Sequence, residues 1–249
     1  MPCLIGKNVA VIGASRGVGR RIVEATAEEG ARVLAVSRQD EPLRQLAQEI
    51  SGVETLALDA AAEEAPAAVF ERLLPDILVI GAGALPPASP FHLLTWREFA
   101  VNWEADVKIA FCFCKAALAR PLPAGSRIVL ISSGAALAGS PNSGGYAGAK
   151  RTQLFLADYS QKESDRQGLG LRFTALAPRM MPDTELGRSA VAGYSRYLGM
   201  SESDFIRSMG VPTSAADVAE AVVSLVRSAD EPSSKVFVVS GAGLEPVAA

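Results

Sequence analysis

The sequence predicts a doubly wound α/β fold, a mostly parallel seven-stranded sheet with helices on both faces. Three observations carry this. Short apolar runs alternate with segments of helical periodicity along the 249-residue chain, the pattern of repeated strand–helix–strand units joined by right-handed crossovers. Hydrophobic residues make up 49% of the chain and mean hydropathy is +0.22, which suits parallel strands buried on both faces. A glycine-rich turn follows the first apolar run. No linker, internal repeat or low-complexity segment interrupts the alternation, so residues 1–249 read as one domain.

Val9–Ile12 is the first strand, and Gly13-Ala-Ser-Arg-Gly17-Val-Gly19 opens a helix to about Glu29. Arg32–Val36 is the second strand and ends at Ser37-Arg38. Helical spacing over Glu41–Ile50 leads to a third strand, Thr55–Leu58, followed by Asp59 and Ala60. After a helix over Glu63–Leu74, Ile77–Ile80 is the fourth strand and Gly81-Ala82-Gly83 follows it. Thr95-Trp-Arg-Glu98 is a capping-box pattern, and it opens a long helix to about Ala119 that contains Asn102. Arg127–Ile131 is the fifth strand, and a helix bearing Tyr146 and Lys150 runs to about Ser164. Leu171–Leu176 is the sixth strand. Met180 to Gly210 reads as a polar, irregular stretch. Ser214-Ala-Ala-Asp217 caps a last helix with Val218, Ala221, Val222 and Leu225 at helical spacing, and Val236–Val239 is the seventh strand.

Bulk properties exclude several function classes. A net charge of −3 and a pI near 5.4 give no general basic field, so nucleic acid is not an expected partner. No apolar stretch reaches the ~18 residues of a membrane span, and Met1 to Lys7 is short for a signal peptide. Cys3, Cys112 and Cys114 form no Cys-x-x-Cys. They read as reduced thiols, and the expected location is the cytoplasm. The single histidine, His92, reads as a loop or helix-entry residue, and no metal site is expected.

Chemistry concentrates in three places. Tyr146 and Lys150 are four residues apart and share a helix face. An ammonium beside a phenol favours the phenolate and lowers a pKa that is normally ~10, so the pair is expected to exchange protons near neutral pH. Ser132 and Ser133 end the apolar run Ile128–Ile131 just upstream. The glycine turn, with Gly13, Ser15, Arg16, Gly17, Val18 and Gly19, joins a strand to a helix N-terminus, where backbone N–H groups and the helix dipole receive a pyrophosphate. At the end of the second strand, an acidic residue would bind the adenosine ribose and repel a 2′-phosphate. Ser37 stands there instead, with Arg38 next to it and Arg16 in the glycine turn. Two guanidinium groups able to bind phosphate in a fork favour NADPH over NADH.

This combination resembles the short-chain dehydrogenase/reductase family, and the resemblance covers Lys7 to about Leu244. The family's Gly-x-x-x-Gly-x-Gly turn falls on Gly13, Gly17 and Gly19. Its serine, thirteen residues before the tyrosine, falls on Ser133, and its Tyr-x-x-x-Lys on Tyr146 and Lys150. Its helix asparagine falls on Asn102 in Val101-Asn-Trp103. The resemblance implies a Rossmann-type fold and hydride transfer between a nicotinamide cofactor and a ketone or secondary alcohol. Tyr146 is then the proton donor, Ser133 a hydrogen-bond donor to the carbonyl oxygen, and Lys150 the modulator of Tyr146 and holder of the nicotinamide ribose. Asn102 holds a water in a proton relay from Lys150. It also implies that Asp59 and Ala60 lie near the adenine, and that Gly81, Ala82, Gly83, Pro178 and Thr184 line the cofactor.

The chain departs from the family in places. Asn-Asn-Ala-Gly after the fourth strand is Ile80-Gly-Ala-Gly83, so the amide that ties neighbouring backbone segments is missing. Pro-Gly after the sixth strand is Pro178-Arg179, and Thr184 lies one residue further along than the family threonine. The stretch over about 180–210, with Met180, Met181, Leu186, Tyr194, Tyr197 and Leu198, reads as an apolar lid over the substrate. Ile109, Phe111 and Phe113, with Cys112 and Cys114, leave little polar face on part of the Asn102 helix, which predicts a homodimer or homotetramer. The competing reading is a cofactor-binding regulator or scaffold on the same fold. An epimerase or dehydratase of the extended branch needs a larger C-terminal region.

Overall fold

The computed structural model describes residues 3–228 and 235–247. The strands are β1 (Asn8–Ile12), β2 (Arg32–Ser37), β3 (Val53–Ala57), β4 (Ile77–Ile80), β5 (Arg127–Ile131), β6 (Arg172–Pro178), β7 (Val236–Ser240) and β8 (Gly243–Pro246). They form one sheet in the order β3-β2-β1-β4-β5-β6-β7-β8. The first seven, all expected, pair in parallel. The eighth was not expected. Gly243-Leu-Glu-Pro is too short and polar to stand out, but a two-residue turn folds it back antiparallel onto the edge of β7, with Ser240 opposite Gly243.

Helices α1 (Gly17–Glu28), α2 (Asp40–Glu49) and α10 (Ala215–Arg227) cover one face, and α3 (Ala65–Arg72), α5 (Lys108–Ala119) and α7 (Tyr146–Gln167) the other. Strand alternation divides the core between them. Ala10 and Ile12 join the cluster with Phe113 and Leu154, whereas Val9 and Val11 join that with Ile22 and Val222. Among the described residues, no helix is long and apolar enough to cross a membrane.

The predicted long helix is not continuous. The capping box forms, with Thr95 accepting from the Glu98 N–H and Glu98 from the Thr95 N–H, and starts α4 (Trp96–Asn102). A π segment, Trp103–Val107, then separates α4 from α5. A single wide turn is a common device at functional sites, and here it turns Asp106 into the interior at 1% exposure. The apolar residues of this helix are mostly spent on the chain's own core. Ile109, Phe113 and Cys114 are buried against the sheet and Phe111 remains exposed. Burial pushes the Cys114 thiol up to about 12, against a hydrogen bond with Ser160, so it stays protonated.

The stretch expected to be irregular folds into two helices, α8 (Glu185–Leu198) and α9 (Glu202–Ser208). Thr184 caps α8 by accepting the Gly187 N–H, Gly199 ends it with φ 68°, and Ser201 caps α9. These are ordinary start and stop signals, masked in the sequence by the polar outer face of α8. A short helix, α6 (Ala135–Ala138), completes the helices used below.

Candidate active site

The parallel strands end along one edge of the sheet, and a cleft of about 230 Å³ opens there. The glycine turn supplies Gly13, Ser15, Arg16, Gly17, Val18 and Gly19 to its lining; β2 supplies Ser37 and Arg38. The segment after β4 adds Gly81, Ala82 and Gly83, and α7 adds Tyr146 and Lys150. The glycines are dictated by close approach. A Cβ on Gly19 would lie 2.0 Å from the Gly13 carbonyl oxygen, and Gly13 itself has φ 98°. No side chain caps α1, so its first N–H groups are left for an anion. The glycine turn and the uncapped α1 N-terminus thus suit an anionic group such as the pyrophosphate of a nicotinamide cofactor.

Some expected cofactor residues sit elsewhere. Asp59 is exposed and accepts the Ala61 N–H at 3.1 Å, and neither it nor Ala60 lines the cleft. Pro178 lines the neighbouring cavity instead. Thr184 does line the cleft, but its hydroxyl is occupied as the α8 cap and as a donor to the Met181 carbonyl, while its methyl lies against Gly17. Arg16 is ion-paired with Glu185 in the first turn of α8, and both side chains are exposed. Arg38 has no ion pair among the described residues.

Ser133, Tyr146 and Lys150 come together as the spacing implies. Ser133 follows β5, accepts the Ala135 N–H at 3.2 Å and lines the same cavity wall as Tyr146. Tyr146 opens α7, and one turn later the Lys150 ammonium lies 5.6 Å from the centre of its ring. Both side chains are buried.

The fourth expected member, Asn102, reaches Lys150 through Asp106, and its Oδ1 is buried without a hydrogen bond. Asn102 is fully buried but does not touch Lys150; Asp106, one turn along, does. Lys150 Nζ reaches Asp106 Oδ1 at 3.1 Å, the Ile131 carbonyl at 3.1 Å and Gln153 Oε1 at 3.2 Å. An ammonium has three donors, and all three are engaged. Asp106 Oδ2 accepts from the Ala84 N–H at 3.0 Å and from Asn102 Nδ2 at 3.1 Å, and that same nitrogen donates to the Ala84 carbonyl at 2.8 Å. Gln153 Nε2 closes the network by donating to the Asp106 carbonyl at 3.1 Å.

This network explains the altered segment after β4. A Cβ on Gly83 would lie 2.5 Å from Asp106 Oδ1, so glycine makes room for the carboxylate. Asn102 and Asp106 grip both polar groups of Ala84 and so tie down the backbone that an amide within the segment would otherwise hold. Asp106 was missed by sequence reading. Its signal was an acidic residue four positions after Asn102, on the same helix face.

The expected lowering of the Tyr146 pKa is overturned. Burial pushes the phenol up, Lys150 and Ser133 pull it down by less, and Asp106 adds to the rise. The i, i+4 reasoning counted the ammonium and left out both desolvation and the carboxylate behind it. For Lys150, burial alone would lower the ammonium, but Asp106 and Tyr146 reverse this and its pKa is raised.

Beyond Tyr146 a second cavity of about 760 Å³ adjoins the cleft, with Ser132, Tyr146, Met181, Thr184 and Leu186 lining both. Met180, Met181, Leu186, Tyr194, Tyr197 and Leu198, the apolar residues expected over the substrate, all line it. Tyr194 stacks on Phe205 of α9, with ring centres 5.7 Å apart and an interplanar angle of 4°. Arg179 lines the same cavity and is exposed.

The sequence model described as short chain dehydrogenase matches residues 7–195. The chain belongs to the short-chain dehydrogenase/reductase family. Within this family it is similar to L-xylulose reductase of Bos taurus, 34% identical over 151 residues, covering 59% of this chain and 61% of that one. D-erythrulose reductase of Gallus gallus is 33% identical over 132 residues, covering 51% and 53%. A 1,6-dihydroxycyclohexa-2,4-diene-1-carboxylate dehydrogenase of Pseudomonas putida is 37% identical over 137 residues, covering 51% of each. The match thus spans between about half and three-fifths of these relatives' lengths. Among solved structures, a tryptophan variant of actinorhodin polyketide ketoreductase with NADPH shares the fold, with TM-score 0.75 at 24% identity over 88% of this chain and 90% of that one.

Proposed function

We propose that the chain is an NADPH-dependent carbonyl reductase. The observation that carries this is the meeting of Ser133, Tyr146 and Lys150 where the cleft opens into the apolar cavity. NADPH, when bound, supplies the hydride. Ser133 donates a hydrogen bond to the carbonyl oxygen as charge develops there. Tyr146 gives that oxygen its proton. Because its pKa is raised, Tyr146 holds its proton at neutral pH, which suits reduction of a ketone better than oxidation of an alcohol. Lys150 keeps positive charge beside the phenol and orders the site through Ile131, Gln153 and Asp106. To hold the nicotinamide ribose as well, Lys150 must exchange one of these partners.

NADPH is preferred over NADH in this reading because Ser37 leaves the end of β2 without a carboxylate and Arg38 is free of ion pairs among the described residues. Arg16 contributes once it leaves Glu185. Residues 1–249 act as one nucleotide-binding unit in which α8 and α9, within 180–210, cover the substrate. The exposed Phe111, Phe155 and Tyr159 on α5 and α7 favour a homodimer or homotetramer, and the reduced thiols a cytoplasmic location.

The test is NADPH oxidation over a panel of ketones, quinones and 3-oxoacyl thioesters. Turnover that is absent with every carbonyl, despite tight NADPH binding, would favour the regulator or scaffold reading.

A further inference from the structure

We propose that the substrate is a bulky, mainly apolar ketone with one further hydrogen-bonding group, which Asn142 receives. The proposal rests on the carbonyl-reductase reading and narrows it. A volume of about 760 Å³ is in the range that encloses a drug-sized molecule. The walls are apolar from several directions: Pro86 and Pro87 from the segment after β4, Leu137 of α6, Met180 after β6, and Leu186 and Leu198 of α8. Ser140 and Tyr194 hydrogen-bond each other, which engages one of their two O–H donors. Asn142 differs. It is only 4% exposed, it lines the cavity, and its side chain has no hydrogen bond among the described residues. An amide open to the cavity offers a ligand both a donor and an acceptor. Beyond the reacting carbonyl, the polar groups of this wall are few, Asn142 and the Ser140–Tyr194 pair among them, while Arg179 is exposed. A ketose with a hydroxyl on most carbons would have to bury several of them unpaired.

Initial rates of NADPH oxidation by the wild-type protein decide it, using a bicyclic aryl ketone, the same ketone with a ring hydroxyl, acetone and L-xylulose. The bicyclic ketones are expected to exceed L-xylulose in kcat/KM by about a hundredfold, the scale set when polar groups are buried without partners. Asn142→Leu is expected to erase the advantage of the hydroxylated ketone over its parent. L-xylulose turned over as well as the bicyclic ketones would overturn the proposal and leave the reductase reading intact. Absence of turnover with all four, while NADPH binds, would strike at the reductase reading itself.

A separate observation carries a second proposal. We infer that Asp106 is a positioning residue whose carboxylate fixes the Lys150 ammonium and restrains how far that charge acts on Tyr146. The contact is 3.1 Å, both side chains are buried, and the carboxylate is held from behind by Ala84 and Asn102. Lys150 and Tyr146 of α7 are the ionisable groups that face it; Asn102 of α4 and Ala84 after β4 are uncharged. In alcohol oxidation, which needs the Tyr146 phenolate, the ascending pH limb of Asp106→Asn is expected at lower pH than in wild type. Loss of a charge that disfavours the phenolate gives this sign. The plateau is expected to fall by up to about a hundredfold as Lys150 loses its anchor. A folded Asp106→Asn with an unshifted limb would overturn the inference. Should that variant not fold, the tyrosinate absorbance difference between wild type and Tyr146→Phe still tests it. Tyr146 ionising below the range of an ordinary tyrosine would refute the restraint.

Discussion

Two regions that meet at Tyr146 are built on opposite principles. On the Lys150 side, the polar atoms are densely paired, and Asn102 Oδ1 is the one buried atom of the network left without a hydrogen bond among the described residues. Lys150 has three partners, Asp106 Oδ2 has two donors, and Gln153 bridges lysine and π segment. On the cavity side, apolar surface dominates, with Asn142 among the few polar side chains of the wall. A network of satisfied buried groups is rigid, because any displacement leaves a charge or donor unpaired. An apolar wall fixes volume and little else. In the proposed function, proton transfer, which is sensitive to small displacements, falls to the first region and choice of substrate to the second.

The largest expected effect breaks the point where the regions meet. Tyr146→Phe should slow ketone reduction by ~10²–10⁴, the usual worth of a positioned acid, with NADPH binding by fluorescence titration unchanged. Equal turnover would remove the tyrosine from the chemistry. Next comes the matched side. In Gly83→Val the side chain collides with Asp106, and separating a buried ion pair is expected to destabilise the fold by ~3–5 kcal/mol, read by urea unfolding. Wild-type stability in that variant would show that the carboxylate is not confined by the segment after β4.

Smaller effects concern the exposed rim of the cleft. A charge-assisted hydrogen bond contributes ~1.5–3 kcal/mol, roughly ten- to a hundredfold in affinity. Ser37→Asp with Arg38→Ala should therefore cancel or reverse a preference for NADPH, and more weakly at high salt. NADH bound as tightly as NADPH by the wild type would make the two arginines plain surface charges. The smallest effect is Glu185→Gln, which releases Arg16 from a solvated pair worth ~1 kcal/mol or less. NADPH affinity should rise by no more than several-fold while NADH affinity stays constant; a fall for both would mean that the Arg16–Glu185 pair holds α8 over the cofactor.

Much of this was legible before any coordinates. Seven parallel strands, the glycine turn, the capping box at Thr95 and the triad of Ser133, Tyr146 and Lys150 follow from patterns contained within a few residues. A strand, a cap or an i, i+4 pair depends on neighbours in the chain, and those neighbours are visible in sequence. The α8 and α9 caps at Thr184 and Ser201 were of the same kind and were hidden only by polar surroundings. What tertiary structure alone decided involves residues far apart in the chain. Asp106 meets Lys150 across 44 positions because a π segment turns it inward. Gly83 is glycine because that carboxylate needs the space. The direction of the Tyr146 pKa was likewise beyond the sequence, since it is set by desolvation and by a carboxylate from another helix. Local order comes from short-range sterics and hydrogen bonds, whereas burial and the charges that share it exist only once the chain has folded.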